Sequence, residues 1–156
     1  FTAKGGTSAK DGLFRRYELE RPATFENWHV VRAALVAGGV DLDGFAARDG
    51  TPAEWMASCG LIVTQDRTTD RRTREVRAGG AVVAELALDR TTFRFRTLVV
   101  EYREIEVEQL GDEPIDLVSL GSVLAESLPG RLEPSTMGKY KRGLTIEQQL
   151  RAAKLL

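Results

Sequence analysis

Polar and apolar residues alternate with a period of two in several stretches of this chain, the signature of strands with two unlike faces. The stretches lie near residues 1 to 5, 13 to 21, 60 to 77, 81 to 94 and 96 to 110. "AGG" at 78 to 80 predicts a hairpin turn between the third and fourth, so the strands read as sequentially antiparallel. Between the second and third the period changes. "TFENWHVVRAALVAGG" opens at a Thr cap, places Phe25, Trp28, Val31 and Leu35 along one helical face, and closes on a Gly pair. "TPAE" then predicts a short helix with Thr51 as N-cap, Pro52 in its first turn and Glu54 as capping-box partner. Helical patterns return near 115 to 128, 135 to 143 and 146 to 156, the last opening at "TIEQ". Strands with helical excursions predict an α+β fold.

Splitting each strand into its two rows shows where the charge goes. In "RRYELE" one row is Arg16, Glu18 and Glu20, the other Arg15, Tyr17 and Leu19. "AELALD" sets Glu85, Ala87 and Asp89 against Leu86 and Leu88. "EYREIEVEQL" sets Glu104, Glu106 and Glu108 against Ile105 and Val107. "FTAK" sets Thr2 and Lys4 against Phe1 and Ala3. Charged rows on a half-exposed sheet ordinarily face water. Here, however, the carboxylates run in same-sign rows, which repel unless something neutralises them. A divalent hard cation such as Mg²⁺ or Mn²⁺ would do so, since both take carboxylate oxygens and bridge them to phosphates. The counter-charge is close in sequence: "QDRTTDRRTREVR" carries Arg67, Arg71, Arg72, Arg74 and Arg77, of which at least two must share a face in any register. Guanidinium forks match phosphate oxygens.

Composition narrows the partners. The 22 Lys and Arg nearly balance the 23 Asp and Glu, and a net charge of −1 gives no bulk attraction to a nucleic-acid polymer or an anionic membrane. The 156 residues suit one domain by length. Cys59 is the lone cysteine, which excludes an internal disulfide or a Cys-based zinc site and fits a reducing compartment. With no recognisable signal peptide or membrane-length apolar run, the expected location is the cytoplasm. His29, the lone histidine, reads as a packing or surface residue of its helix, and Trp28 and Trp55 as helix anchors.

In these rows the chain resembles the CYTH family, the triphosphate tunnel metalloenzymes. "FTAKGG" is similar to the family's Thr-x-Lys-Gly strand, "LFRRYELE" to its Arg-x-Glu-x-Glu strand, and residues 67 to 77 to its Arg-rich strand. "VVAELALD" is similar to its Glu-Leu-Ala-Leu-Asp strand, "REIEVEQL" to its Glu-Ile-Glu-x-Glu-Leu strand, and "LEPSTMGKYKRGL" to its C-terminal Pro-Ser...Ser-Lys segment. The motifs fall in family order over residues 1 to 144, with 145 to 156 opening a following helix. The resemblance implies an antiparallel β-barrel, or tunnel, with a charged lumen and helices packed outside on Tyr17, Leu19, Leu86, Leu88, Ile105 and Val107. It implies Lys4, Arg16, Arg67, Arg71, Arg72, Arg74 and Lys139 as ligands of a triphosphate or polyphosphate. It implies Glu104 and Glu106 as Mg²⁺ or Mn²⁺ ligands, with Glu18, Glu20 and Glu85 as further metal ligands, Glu18, Glu20 and Lys4 as catalytic groups, and Asp89 as a weaker candidate.

The chain departs from the family at two places. The Glu-x-Glu-x-Lys strand and the other strands that should precede "FTAKGG" are not in the sequence, and both ends read as cut, so this is expected to be a piece of a longer polypeptide. Gly138 stands where the family usually has Ser. The implied activity is a metal-dependent phosphohydrolase acting on a triphosphate such as inorganic triphosphate. The alternatives are a class IV-type adenylate cyclase on the same fold, a non-catalytic polyphosphate- or nucleotide-binding module, and an interaction scaffold.

Overall fold

A computed structural model describes residues 1–10, 13–44, 47–111 and 115–156. It is α+β, and its contacts group into two compact units, one made of Phe1–Lys10 and Phe14–Thr64, the other centred on Gln65–Leu156.

The first unit pairs β1 (Thr2–Lys10) with β2 (Leu13–Glu20) and adds α1 (Phe25–Ala37) and α2 (Pro52–Ser58). The caps act as the sequence predicts. Thr24 accepts the Asn27 amide at the start of α1. Thr51 and Glu54 complete a reciprocal box at α2, the Glu54 carboxylate accepting the Thr51 amide at 2.6 Å. The core is apolar: Leu19, Trp28, Val31, Leu42, Trp55 and Cys59, with Phe1, Ala3 and Phe25 packed against it. Trp28 and Val31 are one turn apart on α1, which is why that helix lies down on this face. The Trp55 indole nitrogen donates to the Ala47 carbonyl at 2.8 Å, so the large ring is buried without an orphaned donor. His29 lies edge-on to Phe25 with 4.6 Å between ring centroids, a packing contact.

The second unit is a three-stranded antiparallel meander, β3 (Asp66–Ala78), β4 (Ala81–Phe95) and β5 (Leu98–Gln109), in sequence order, with α3 (Leu117–Ser127) and α4 (Lys139–Ala152). Gly79 and Gly80 both take positive φ at the β3–β4 turn, the two-residue hairpin geometry that residues with a Cβ resist.

Several expectations need correction. The described strands form two separate sheets, and no closed barrel is found among them. β3 begins at Asp66 rather than near residue 60. The two C-terminal helical patterns are one continuous helix, α4, which runs through the 144/145 boundary. Thr145, read as a cap, instead turns its hydroxyl back to the Lys141 carbonyl at 3.0 Å inside the helix. Gly143, in the middle of α4, is buried against the sheet. Finally, the helices do not all choose the apolar side. α4 lies on the charged face of β3–β5, and Leu88 on the opposite face is 49% exposed; Tyr17 of the first unit is 63% exposed, so Leu19 alone of that pair enters a core.

Candidate functional site

The register decides which charges share a face. Arg71 lies directly across from Asp89, and Asp89 directly across from Glu104, one rung spanning all three strands. The next rung is Thr73, Ala87 and Glu106, and the one after it Glu75, Glu85 and Glu108. The carboxylate rows of β4 and β5 therefore do lie on one face, as the alternation requires.

On that face five charged groups converge. The Arg71 guanidinium grips Asp89 with both prongs, Nε to Oδ1 at 2.8 Å and Nη2 to Oδ2 at 2.6 Å, and also donates to Glu106 Oε2. Arg71 and Glu106 belong to strands that are not neighbours. The guanidinium reaches across because the intervening rung position is Ala87, whose side chain ends at the β-carbon. From α4 the Lys139 ammonium touches all three carboxylates: Asp89 Oδ2 at 2.8 Å, Glu106 Oε1 at 2.7 Å, and Glu104 Oε1. The Asp89 side chain is fully shielded from solvent, that of Glu104 nearly so, and that of Glu106 is 37% exposed, so the cluster opens on one side.

Electrostatics follow from this packing. Burial alone would raise the Asp89 carboxyl, but Arg71 and Lys139 outweigh it and hold Asp89 below the usual carboxylate range. Burial alone would depress the Lys139 ammonium, but Asp89, Glu104 and Glu106 reverse that and raise it above ordinary lysine. The hydrogen bond to Asp89 is the main cause holding Arg71 more firmly protonated still.

Small residues make the placement of α4 possible. A β-carbon on Gly143 would stand 2.7 Å from the buried Phe93 ring and 2.6 Å from the Gln65 amide nitrogen, so only glycine allows the helix this near. The Gln65 amide donates to the Tyr140 carbonyl at 2.7 Å, and the Arg142 guanidinium lies 4.9 Å from the centre of the Tyr102 ring. Thr69 and Thr91 share a hydroxyl hydrogen bond at 3.0 Å on the same sheet face.

The other expected site residues fall elsewhere. In the first unit Lys4 pairs with Glu18 at 2.8 Å and Arg16 with the other Glu18 oxygen at 3.2 Å, a row on β1 and β2. Partial burial acts to raise the Glu18 carboxyl, and the two cations overcome it, leaving it lowered. Glu20, at the end of β2, is exposed. Arg67 shares the Arg71 face and donates to Gln65 at 3.2 Å. Arg72 and Arg74 fall on the opposite face of the sheet, across from Leu88 and Leu86, and are not brought to the cluster. Glu85 lies two residues from Ala87 toward the Gly–Gly turn, between Glu75 and Glu108.

One ligating oxygen each from Asp89, Glu104 and Glu106 lies within 4.8 Å of the others. Three hard oxygen donors from two adjacent strands fit Mg²⁺ or Mn²⁺, which accept carboxylates and fill their remaining positions with water or phosphate oxygen. Asp89, a weaker candidate by sequence, is thus the most buried member of the set. Sequence reasoning did not find Ala87 and Gly143 as the gaps through which Arg71 and α4 reach; the signal was two small residues inside charged stretches. No family model, curated protein or solved structure matches this chain.

Proposed function

We propose that the protein is a metal-dependent phosphohydrolase acting on a triphosphate, with Asp89, Glu104 and Glu106 as its metal face and β3–β5 as part of the wall of a charged tunnel. The observation that carries this reading is the convergence of three carboxylates with Arg71 and Lys139 on one sheet face that is open at Glu106. Bound there, Mg²⁺ or Mn²⁺ would offset the charge developing on the transferred phosphoryl group. Asp89 and Glu106 take the Nε and Nη2 donors of Arg71 and so fix its orientation, which leaves Nη1 as the group it would offer a phosphate oxygen. Lys139, on a rotatable stem, contributes a mobile positive charge beside it. The protein's localisation in the cytoplasm belongs to the same proposal; among the described residues no helix is long and apolar enough to cross a membrane.

A second reading has its own observation. Arg71 and Lys139 are both already engaged by carboxylates, so the charged face is held together internally and a scaffold that never binds triphosphate would have the same cluster.

Phosphate release from inorganic triphosphate, with Mg²⁺ or Mn²⁺ and against ATP, separates the two. The expected result is metal-dependent release that falls by about two to three orders of magnitude in Glu106→Ala. Cyclic nucleotide formed from ATP would replace the hydrolase by a cyclase, triphosphate binding without product would leave a binding module, and no binding would leave the scaffold.

A further inference from the structure

We infer that Lys139 is a resident counter-ion of the Asp89–Glu104–Glu106 nest, so that a divalent cation enters only by expelling the Lys139 ammonium. This inference rests on the metal-dependent reading above.

The first ground is geometry. The ammonium has three donors and stands within ion-pair distance of three different carboxylates at once. A Mg²⁺ drawing those oxygens to about 2.1 Å would sit where the nitrogen sits. Two cations that close repel strongly in a site as shielded as this one.

The second ground is which cation can leave. Arg71 is rooted in β3 directly across from Asp89 and holds both of its oxygens. Lys139 is the first residue of α4, at the helix end whose partial positive charge disfavours a cation. Its N-cap is Gly138, which supplies no side-chain hydrogen bond, so the first turn is fixed to the sheet by Lys139 and by the Gln65 contact to the Tyr140 carbonyl. The four-carbon stem can swing without moving a strand.

The third ground is charge. Three carboxylates against two cations leave one negative charge, and exchanging the ammonium for a dication cancels it. The released ammonium then stands at the open side of the cluster, where a phosphate oxygen brought by the metal would meet it.

The test is Mn²⁺ binding followed by the electron paramagnetic resonance of the free ion, for the unaltered protein, Lys139→Met and Arg151→Met. Arg151 is a control of equal charge loss, since it pairs with Glu147 on the exposed side of α4 at 2.6 Å. Lys139→Met should bind Mn²⁺ about tenfold more tightly or better, within the usual range of coupling between two sites, while Arg151→Met should match the unaltered protein. In parallel, titrating the unaltered protein with Mg²⁺ should move the Lys139 side-chain NMR resonances toward those of free lysine, a readout that stands even if Lys139→Met does not fold. Equal or weaker Mn²⁺ binding by Lys139→Met, with the Lys139 resonances unmoved at Mg²⁺ saturation, would overturn the exchange while leaving a metal site. No binding of either ion at millimolar concentration would overturn the metal reading itself, and the exchange with it.

Discussion

The two units of the molecule bury different things. The first encloses Leu19, Trp28, Val31, Leu42, Trp55 and Cys59, an apolar cluster of the ordinary kind, and leaves its charges on the surface of β1 and β2. The second buries Asp89 and Thr91 beside Phe93 and Ala87 and sets Lys139 into its sheet, so its interior is organised around charge. Apolar burial is non-directional and tolerates small shifts. A buried ion cluster is directional and fails when any one partner is removed. One unit is thus a support built from area, the other a site built from geometry.

Substitutions can break that contrast. Trp28→Ala empties the first core and should cost about 3–5 kcal/mol in denaturant unfolding, with little dependence on salt. Asp89→Asn keeps the shape but removes the buried negative charge, and one acceptor oxygen, that Arg71 and Lys139 share; because Arg71 is 39% exposed, we expect about 2–3 kcal/mol rather than the full cost of breaking a buried pair. A loss for Asp89→Asn below about 0.5 kcal/mol would deny that the second interior is held by charge. Gly143→Ala forces a β-carbon onto Phe93, and with the helix gaining some propensity the net loss should be about 1–2 kcal/mol, read by the same unfolding assay.

Acidity sharpens the comparison further. The folded-state pKa of Asp89 lies below its unfolded value, so its contribution is present above about pH 4 and is lost as pH falls through the depressed folded value. Lys139 is shifted the other way; its contribution is complete below about pH 10 and is lost as pH rises through the raised folded value. Unfolding measured across pH should therefore show a plateau between these limits, and Asp89→Asn should flatten its acid edge. The smallest effect should come from Leu88→Thr, on the exposed face, within about 0.5 kcal/mol of the unaltered protein.

What could be read from the sequence follows from what has a period. Strand faces do, so the alternation puts Glu85 with Asp89 in one row and Glu104 with Glu106 in another, while only the register of β5 on β4 brings the two rows to one face. Gly79–Gly80 and the Thr51–Glu54 box announced a turn and a cap, because each requires those residue types. The Arg-rich strand has no apolar alternation to fix its register, and nothing in "DRRTREVR" says that Arg71 turns toward Asp89 while Arg72 and Arg74 turn away. Nor does α4 advertise its seat, since a helix docked through Lys139 and Gly143 shows no apolar stripe. The division into two units was equally hidden, for contacts between distant segments leave no local pattern.

The long reach of Arg71 has a bearing on how the sheet assembles. β3 is a flanking strand in which arginine and threonine recur at short intervals, so its backbone could join β4 in several alignments of similar hydrogen bonding. A slip of one residue would present Asp70 or Arg72 to Asp89 with every side chain inverted, and a slip of two would present Thr69 or Thr73. In the observed alignment Arg71 closes on both Asp89 and Glu106 while Thr69 meets Thr91, and that closure also demands that β5 be aligned on β4. The same residue that would steady a phosphate thus ties the alignment of β3 on β4 to that of β5 on β4.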